Sequence, residues 1–439
     1  MNDRTPPQRY EIARSTRTVD RAMNHLIKVG GISIIAAVFG IFIFIFWQVL
    51  PLFQGARVTP LRTIALPPAD YAVIGADEWT ELPFAVRRDG ALTFVDTEAG
   101  DAVWAATNVL PAGTAVSALA YLPGRQQVVM ATASGTVTFV GVNYEGVFEN
   151  NRRRVKVALD HSPFFALGRP GLPVQSVSAA SGESERLVAG LQTVDGKIEC
   201  HLTLLAQKRA LGGKSRLSVA QQIDLTPLIP GTPAHLLVNA RLDSLLVMTT
   251  DQQVHYLFRE QNAFVLRQSF RPLADPDDAL ASADFLFGDD SVIFASQRGH
   301  NVIFSLFAQG AANTRLYGQT KQFPDLPGPA VAHASSLRNK AFVVATTNLI
   351  SLRYSTTEAV RWEKPAGFTV QHTALGGKYD RLLALDDQSR LHLFTLDDPH
   401  PEASWRAFFG KVWYEGSSAP KYDWQSTGGS DDFEPKLSM

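Results

Sequence analysis

Hydrophobic and polar positions along the chain fall into two contrasting regimes. Residues 29–53, VGGISIIAAVFGIFIFIFWQVLPLF, hold no charged side chain, and the run exceeds the roughly 20 apolar residues that cross a hydrocarbon core. The pattern predicts a transmembrane helix, with Val29, Phe39, Phe46, Trp47 and Phe53 marking the anchor. A core helix of a soluble domain would be shorter and keep a polar stripe. A cleaved signal would have a shorter apolar run followed by a small-residue cleavage site. Arg4, Arg9, Arg14, Arg17, Arg21 and Lys28 precede the run, whereas only Arg57 and Arg62 follow it closely. That asymmetry predicts a cytoplasmic segment at 1–28 and an extracytoplasmic location for the bulk of the chain.

Over 57–398 the texture changes to short runs of Val, Leu, Ile, Phe and Thr separated by Gly, Pro, Asp and Ser, the signature of all-β organisation. One unit recurs: an apolar strand, a tight turn, an alternating strand and a polar break. Its copies read PFAVRRDGALTFVD, VVMATASGTVTFVG, RLVAGLQTVDGKIECHL, LLVMTTDQQVHYLF, VIFASQRGHNVIFSL, FVVATTNLISLRY and RLLALDDQSRLHLF. Their turns fall at Gly90, Gly135, Gly196, Gln253, Gly299, Asn348 and Ser389, 41 to 61 residues apart. Asp89-Gly90 and Asp195-Gly196 are pairs suited to positive φ, and Thr347-Asn348 adopts it at modest cost. Alternating Leu92 and Phe94, Val137 and Phe139, or Val254, Tyr256 and Phe258 predict one strongly buried face per sheet.

A unit of about 50 residues accommodates four strands, and radial stacking of such sheets buries their faces while leaving short edges. The expected fold is therefore a seven-bladed β-propeller following one N-terminal transmembrane helix. Two smaller β-sandwiches, or rings of six or eight blades, are the alternatives. No Trp-Asp dipeptide occurs, so the array is a degenerate one. RVTPLRTIAL, at 57–66, is positioned to supply the outer strand that closes the last blade.

Past the last repeat, in a return segment at 399–439, the period shifts. Trp405, Phe408, Phe409, Val412 and Trp413 recur at helical spacing with Arg406 and Lys411 elsewhere on the surface. Such a helix fits the headgroup layer of a membrane, and equally the rim of the propeller.

Composition adds mainly exclusions. With 41 basic and 42 acidic side chains the net charge is -1, which provides no global footprint for nucleic acid. The single cysteine, Cys200, excludes a disulfide framework or a multi-cysteine metal site, and its alternation with Ile198 and Leu202 makes it a core residue. Hydrolase elbows, metalloprotease helices and EF-hand spacing are absent, and the ten histidines are scattered, so no catalytic, cofactor-binding or metal-ligating residue is assigned. Gly212-Gly213-Lys214-Ser215 resembles the end of a phosphate loop but lacks its first glycine and reads as a turn between strands. Asp275, Asp277 and Asp278, and likewise Asp289 and Asp290, fit turns in which Asp caps backbone N–H groups. Arg152, Arg153 and Arg154, followed by Val155 and Lys156, form the one basic run, which reads as a solvated inter-blade loop or as an anion site.

The basic N-terminus, the early span, the large extracytoplasmic β insert and above all the tail KVWYEG…YDWQSTGGSDDFEPKLS resemble the first part of a PstC-type permease subunit of bacterial phosphate ABC importers, in its long form. The resemblance implies that the tail leads into further transmembrane helices and that this chain is one portion of a transporter subunit. It implies an inner-membrane location, with membrane lipid, another permease subunit, a cytoplasmic ATPase subunit and a periplasmic phosphate-binding protein as partners. The propeller would then be a docking or regulatory platform, with ATP consumed by the separate ATPase. A stand-alone anchored scaffold in envelope assembly is the rival from another class, and an anchored propeller enzyme is a third.

Overall fold

The structure, a computed structural model, describes residues 14–49, 55–106, 109–149, 152–209, 215–261, 263–309 and 314–399. They form two units, one containing the N-terminal helix and the other spanning Ala56–Asp398.

The helix runs over Arg14–Val49. It begins well ahead of the apolar run because nothing between Arg14 and Lys28 is a glycine or proline. Its stretch Thr18–Trp47 is long and apolar enough to cross a membrane and is buried nowhere against protein. Val29, Phe39, Phe46 and Trp47 are 60%, 64%, 68% and 73% exposed. Phe53 lies outside the described residues, as does the whole predicted return helix with Trp405, Phe408, Phe409, Val412 and Trp413.

The second unit is a seven-bladed β-propeller. Its blades occupy 71–106, 116–166, 174–224, 233–270, 280–323, 332–365 and 370–397, and each is an antiparallel sheet. We number them in chain order and letter their strands a to d outward from the axis. The a strands of neighbouring blades touch all the way round, from Tyr71–Gly75 through Val116–Leu122, Val174–Ser181, Pro233–Val238, Leu280–Phe285, Ala332–Ser335 and Val370–Leu375 back to the first. Blade 7 is closed by Arg57–Ala65, which pairs with Arg390–Asp397 as its outermost strand. The closing strand proposed from position alone is thus present, and it ties one end of the domain to the other.

The recurring sequence unit is the b–c hairpin of each blade. Five of the turns share one form, in which a left-handed residue ends the loop: Gly90, Gly135, Gln252, Gly299 and Ser389. In blade 3 Asp195 and Gly196 both take positive φ. Two expectations need correction. In blade 4 the left-handed residue is Gln252 rather than Gln253, and neither Thr347 nor Asn348 enters that region. In that turn the Thr346 hydroxyl instead accepts the Leu349 N–H at 3.2 Å. Gly299 is the most constrained of the set, because a Cβ there would overlap the Leu326 carbonyl oxygen.

The central strands also differ from the one-faced pattern. Every residue of Ser244–Thr249 and Ala341–Ala345 is buried. Each blade is flanked by two others, so both faces of its middle strands are covered and polar alternation has no solvent to answer to.

Blade 2 departs from the four-strand plan. Its c strand, Thr136–Glu149, runs past the sheet and pairs with Arg152–His161, while Phe165–Ala166 takes the outer place beside Val137 and Thr136. Tyr144, Val155, Val157 and Leu159 on this long hairpin pack against the core containing Leu82, Phe84 and Val128. The Tyr144 hydroxyl donates to the Leu82 carbonyl of blade 1 at 3.0 Å, and burial holds that phenol protonated well beyond its ordinary range. The basic run at 152–156 therefore lies on a strand, not in an inter-blade loop: apolar Val155 and Val157 alternate inward and pull it into the hairpin.

Candidate interaction surface

One face of the propeller carries the loops that join strands a and b, and on this face neighbouring blades are linked around the whole ring by these loops and the strand ends beside them. Gln126 of blade 2 donates to the Ala76 carbonyl of blade 1 at 3.0 Å, and Arg125 to the Ser181 carbonyl of blade 3 at 2.9 Å. Arg259 of blade 4 pairs with Glu185 of blade 3 at 2.8 Å. The Ala240 N–H of blade 4 donates to Asp289 of blade 5 at 3.1 Å, and Arg241 pairs with Asp290. Lys340 of blade 6 donates to the Phe287 carbonyl of blade 5 at 3.3 Å. Arg338 then reaches both the Gly377 carbonyl of blade 7 and Glu78 of blade 1, each at 2.7 Å. The Lys378 ammonium lies over the indole of Trp79, which joins blade 7 to blade 1.

Each link alone is modest, since exposed pairs contribute about 0–1 kcal/mol. Closed into a ring, they hold the loops in fixed relative positions. Trp79, 42% exposed, stands on this face as an aromatic side chain of the kind that anchors protein interfaces. Of these residues the sequence marks Asp289 and Asp290 alone, and those as turn aspartates rather than as links. The linked partners are mostly backbone carbonyls or side chains one repeat away, and no local pattern marks such pairs.

Inside the ring, six of the a strands share a bulge near their start, so Val73, Ala118, Ser176, His235, Ser282 and His372 sit at one level of the axis. Two residues further on, the level reads Gly75, Ala120, Ser178, Leu237, Asp284 and Ala374, with Ala334 from blade 6. Asp284 is the only ionisable group there. Desolvation by the surrounding protein, reinforced by the charge of Asp289, pushes its carboxyl up to about 7 against a bond from the Phe285 backbone.

Beside it the Ser282 hydroxyl and His333 Nε2 lie 2.7 Å apart. This pair is not an activated nucleophile. His333 Nδ1 is buried with no hydrogen-bond partner, so no carboxylate orients the ring. Desolvation first, and the Arg353 charge second, lower its pKa to about 4 and keep it neutral.

The remaining candidates from the sequence find structural roles. Cys200 is fully buried and its thiol is pushed up to about 12 by burial, which makes it an inert core residue. Asp275 accepts the Asp277 N–H, Asp278 accepts from Arg298 and His300, and Asp289 and Asp290 belong to the ring of links just described. Arg154 is exposed on the hairpin of blade 2, with Arg152 and Arg153 on the same strand. The glycine-rich turn at 212–214 lies outside the described residues. Among the described residues no His, Cys, Asp and Glu side chains form a set that could hold a metal ion.

No protein-family model matches the chain, and no curated protein matches it. Solved structures do resemble it. The β-propeller domain of Cps50 (Swd1) from Myceliophteria thermophila is 11% identical, with the match covering 78% of this chain and 100% of that one at a TM-score of 0.50. Raptor from Chaetomium thermophilum is 10% identical at a TM-score of 0.53, with 80% of this chain and 30% of that chain covered. At such identities the likeness is one of fold, a WD40-like propeller built without the Trp-Asp dipeptide.

Proposed function

We propose that this chain is a membrane-anchored interaction platform: the apolar helix holds it at a bilayer, and the propeller offers a stiff, wide face of loops to a protein partner. The observation that carries this is the unbroken ring of inter-blade links on the a–b loop face. A surface whose loops are fixed relative to one another loses little entropy on binding, which favours recognition of a partner by shape. The two propellers it resembles support a platform reading through their fold.

The finer reading rests on the sequence resemblance. The basic N-terminus, the early span and the tail from Lys411 onward support placement in a bacterial inner membrane, with residues 57–398 in the periplasm, as part of a PstC-type permease subunit of a phosphate importer. The propeller would there dock the phosphate-binding protein or an envelope partner, and a separate cytoplasmic subunit would consume ATP. Deleting 57–398 from the full-length subunit should leave the span inserted while impairing phosphate uptake or its regulation. Unchanged uptake in both phosphate-rich and phosphate-starved cells would remove the importer assignment. Co-purification with a phosphate-transport ATPase separates this reading from that of a free-standing envelope scaffold.

A further inference from the structure

The outer strands of blades 2 and 3 meet at Gln222, whose side-chain amide donates to the Ala166 carbonyl at 3.0 Å, and leave a hollow beside that contact. An open cavity of about 400 Å³ lies between them, with Phe164 and Leu217 as apolar lining and Lys208, Arg216 and Ser218 completing the wall. Lys208 on strand c of blade 3 sits directly across from Arg216 on strand d, and both are exposed. Like charges facing each other across a ladder repel and destabilise a sheet. Many arginines elsewhere on this domain answer carboxylates, as in Arg88 with Asp70, Arg169 with Glu199 and Arg298 with Asp275. Among the described residues Lys208 and Arg216 have no such answer. Strand d, Ser215–Asp224, is also the last of its sheet, and Val219 on it is 39% exposed. An open strand edge, an apolar hollow and an uncompensated cation pair thus coincide.

We infer that this seam is a docking site for an acidic, extended peptide segment of a protein partner. Carboxylates of the segment neutralise Lys208 and Arg216 through charge-assisted bonds, an aromatic or aliphatic residue covers Phe164 and Leu217, and the peptide main chain lies along the free edge of Ser215–Asp224. A bare inorganic anion would meet the cations and leave the apolar lining wet. A lipid headgroup would make no use of the strand edge. The inference rests on the platform reading and gives it a partner chemistry.

The test uses the full chain in detergent and a fluorescein-labelled peptide of alternating Asp and Phe, followed by anisotropy. Saturable binding that weakens with salt is expected, together with a loss of about tenfold or more when Lys208→Glu and Arg216→Glu are combined, as removal of two charge-assisted contacts implies. Arg216→Glu alone should weaken binding yet leave the melting temperature equal or higher, because it relieves the repulsion; a variant that merely misfolds would lower both. Absence of peptide binding, equal binding of a Lys-Phe peptide, or competition by inorganic phosphate or anionic-lipid vesicles as strong as by unlabelled peptide would overturn the inference. If deleting 57–398 alters uptake in cells while Arg216→Glu changes neither uptake nor peptide binding, the platform stands and this site falls.

Discussion

Asp284 offers the sharpest test of how the axial core is built. It is the one ionisable residue at its level of the ring, among Gly75, Ala120, Leu237, Ala334 and Ala374, and its carboxyl is pushed up to about 7 chiefly by desolvation. For an acid whose folded pKa is raised, the folded state binds the proton more tightly than the unfolded one. Stability is therefore greatest while the group is protonated in both states, falls as pH rises from near 4 to near 7, and is flat above. At about 1.4 kcal/mol per unit the full penalty is a little over 4 kcal/mol, and contact of the half-buried carboxylate with solvent trims it to about 2–4 kcal/mol. Asp284→Asn keeps the shape and removes the charge. At pH 8 it should stabilise the propeller by that amount, which for a domain of this size is a rise of about 3–6 °C in melting temperature. At pH 4.5 the gain should shrink to about 1 kcal/mol. Differential scanning calorimetry of the two proteins across this range reads the effect. A shift that is the same at both pH values, or a loss of stability at pH 8, would refute a desolvated carboxylate at this position.

His333 should act with the opposite slope. Its folded pKa is lowered to about 4, so the stability it contributes is complete above about 6.5 and is lost as pH falls toward 4. Replacing it by Phe should flatten that part of the stability profile by about 1–3 kcal/mol in denaturant titrations. Gly299→Ala forces a Cβ into the Leu326 carbonyl at φ 93 and should cost more than about 3 kcal/mol, whereas Gly196→Ala, at φ 78 with nothing within 4 Å, should cost about 1 kcal/mol, as read by urea midpoints. Arg361→Ala removes the guanidinium that pairs with buried Asp398. Leaving that carboxylate, among the described residues, with the Tyr379 hydroxyl alone at 2.7 Å should cost about 3 kcal/mol and raise proteolysis at the closing strand.

How much of this was legible in the sequence follows from the distance over which each interaction acts. The b–c hairpin was readable because its strands are neighbours in the chain and its turn demands residues that tolerate positive φ, which is why Gly90, Gly135 and Gly299 recur at the same place in the unit. Ser389 takes that role without being glycine and its place is legible too; in blade 4 the left-handed residue is Gln252, one before the expected Gln253, and in blade 6 a bond to the Thr346 hydroxyl replaces positive φ. The long hairpin of blade 2 was hidden for a different reason: Arg152, Arg153 and Arg154 look like a solvated loop until Val155, Val157 and Leu159 are seen to alternate on a strand packed against blade 1.

The ring of links on the a–b loop face was beyond the sequence altogether, and the cause is physical. Arg125, Lys340 and Arg338 spend their charge on the carbonyls of Ser181, Phe287 and Gly377, and every residue type carries the same carbonyl. A donor whose acceptor is backbone leaves no complementary residue to search for. Lys208 and Arg216 stand out only once the register is known: two cations directly across a ladder, with no carboxylate or carbonyl answering them among the described residues, border an apolar hollow, and an answer from another chain fits there.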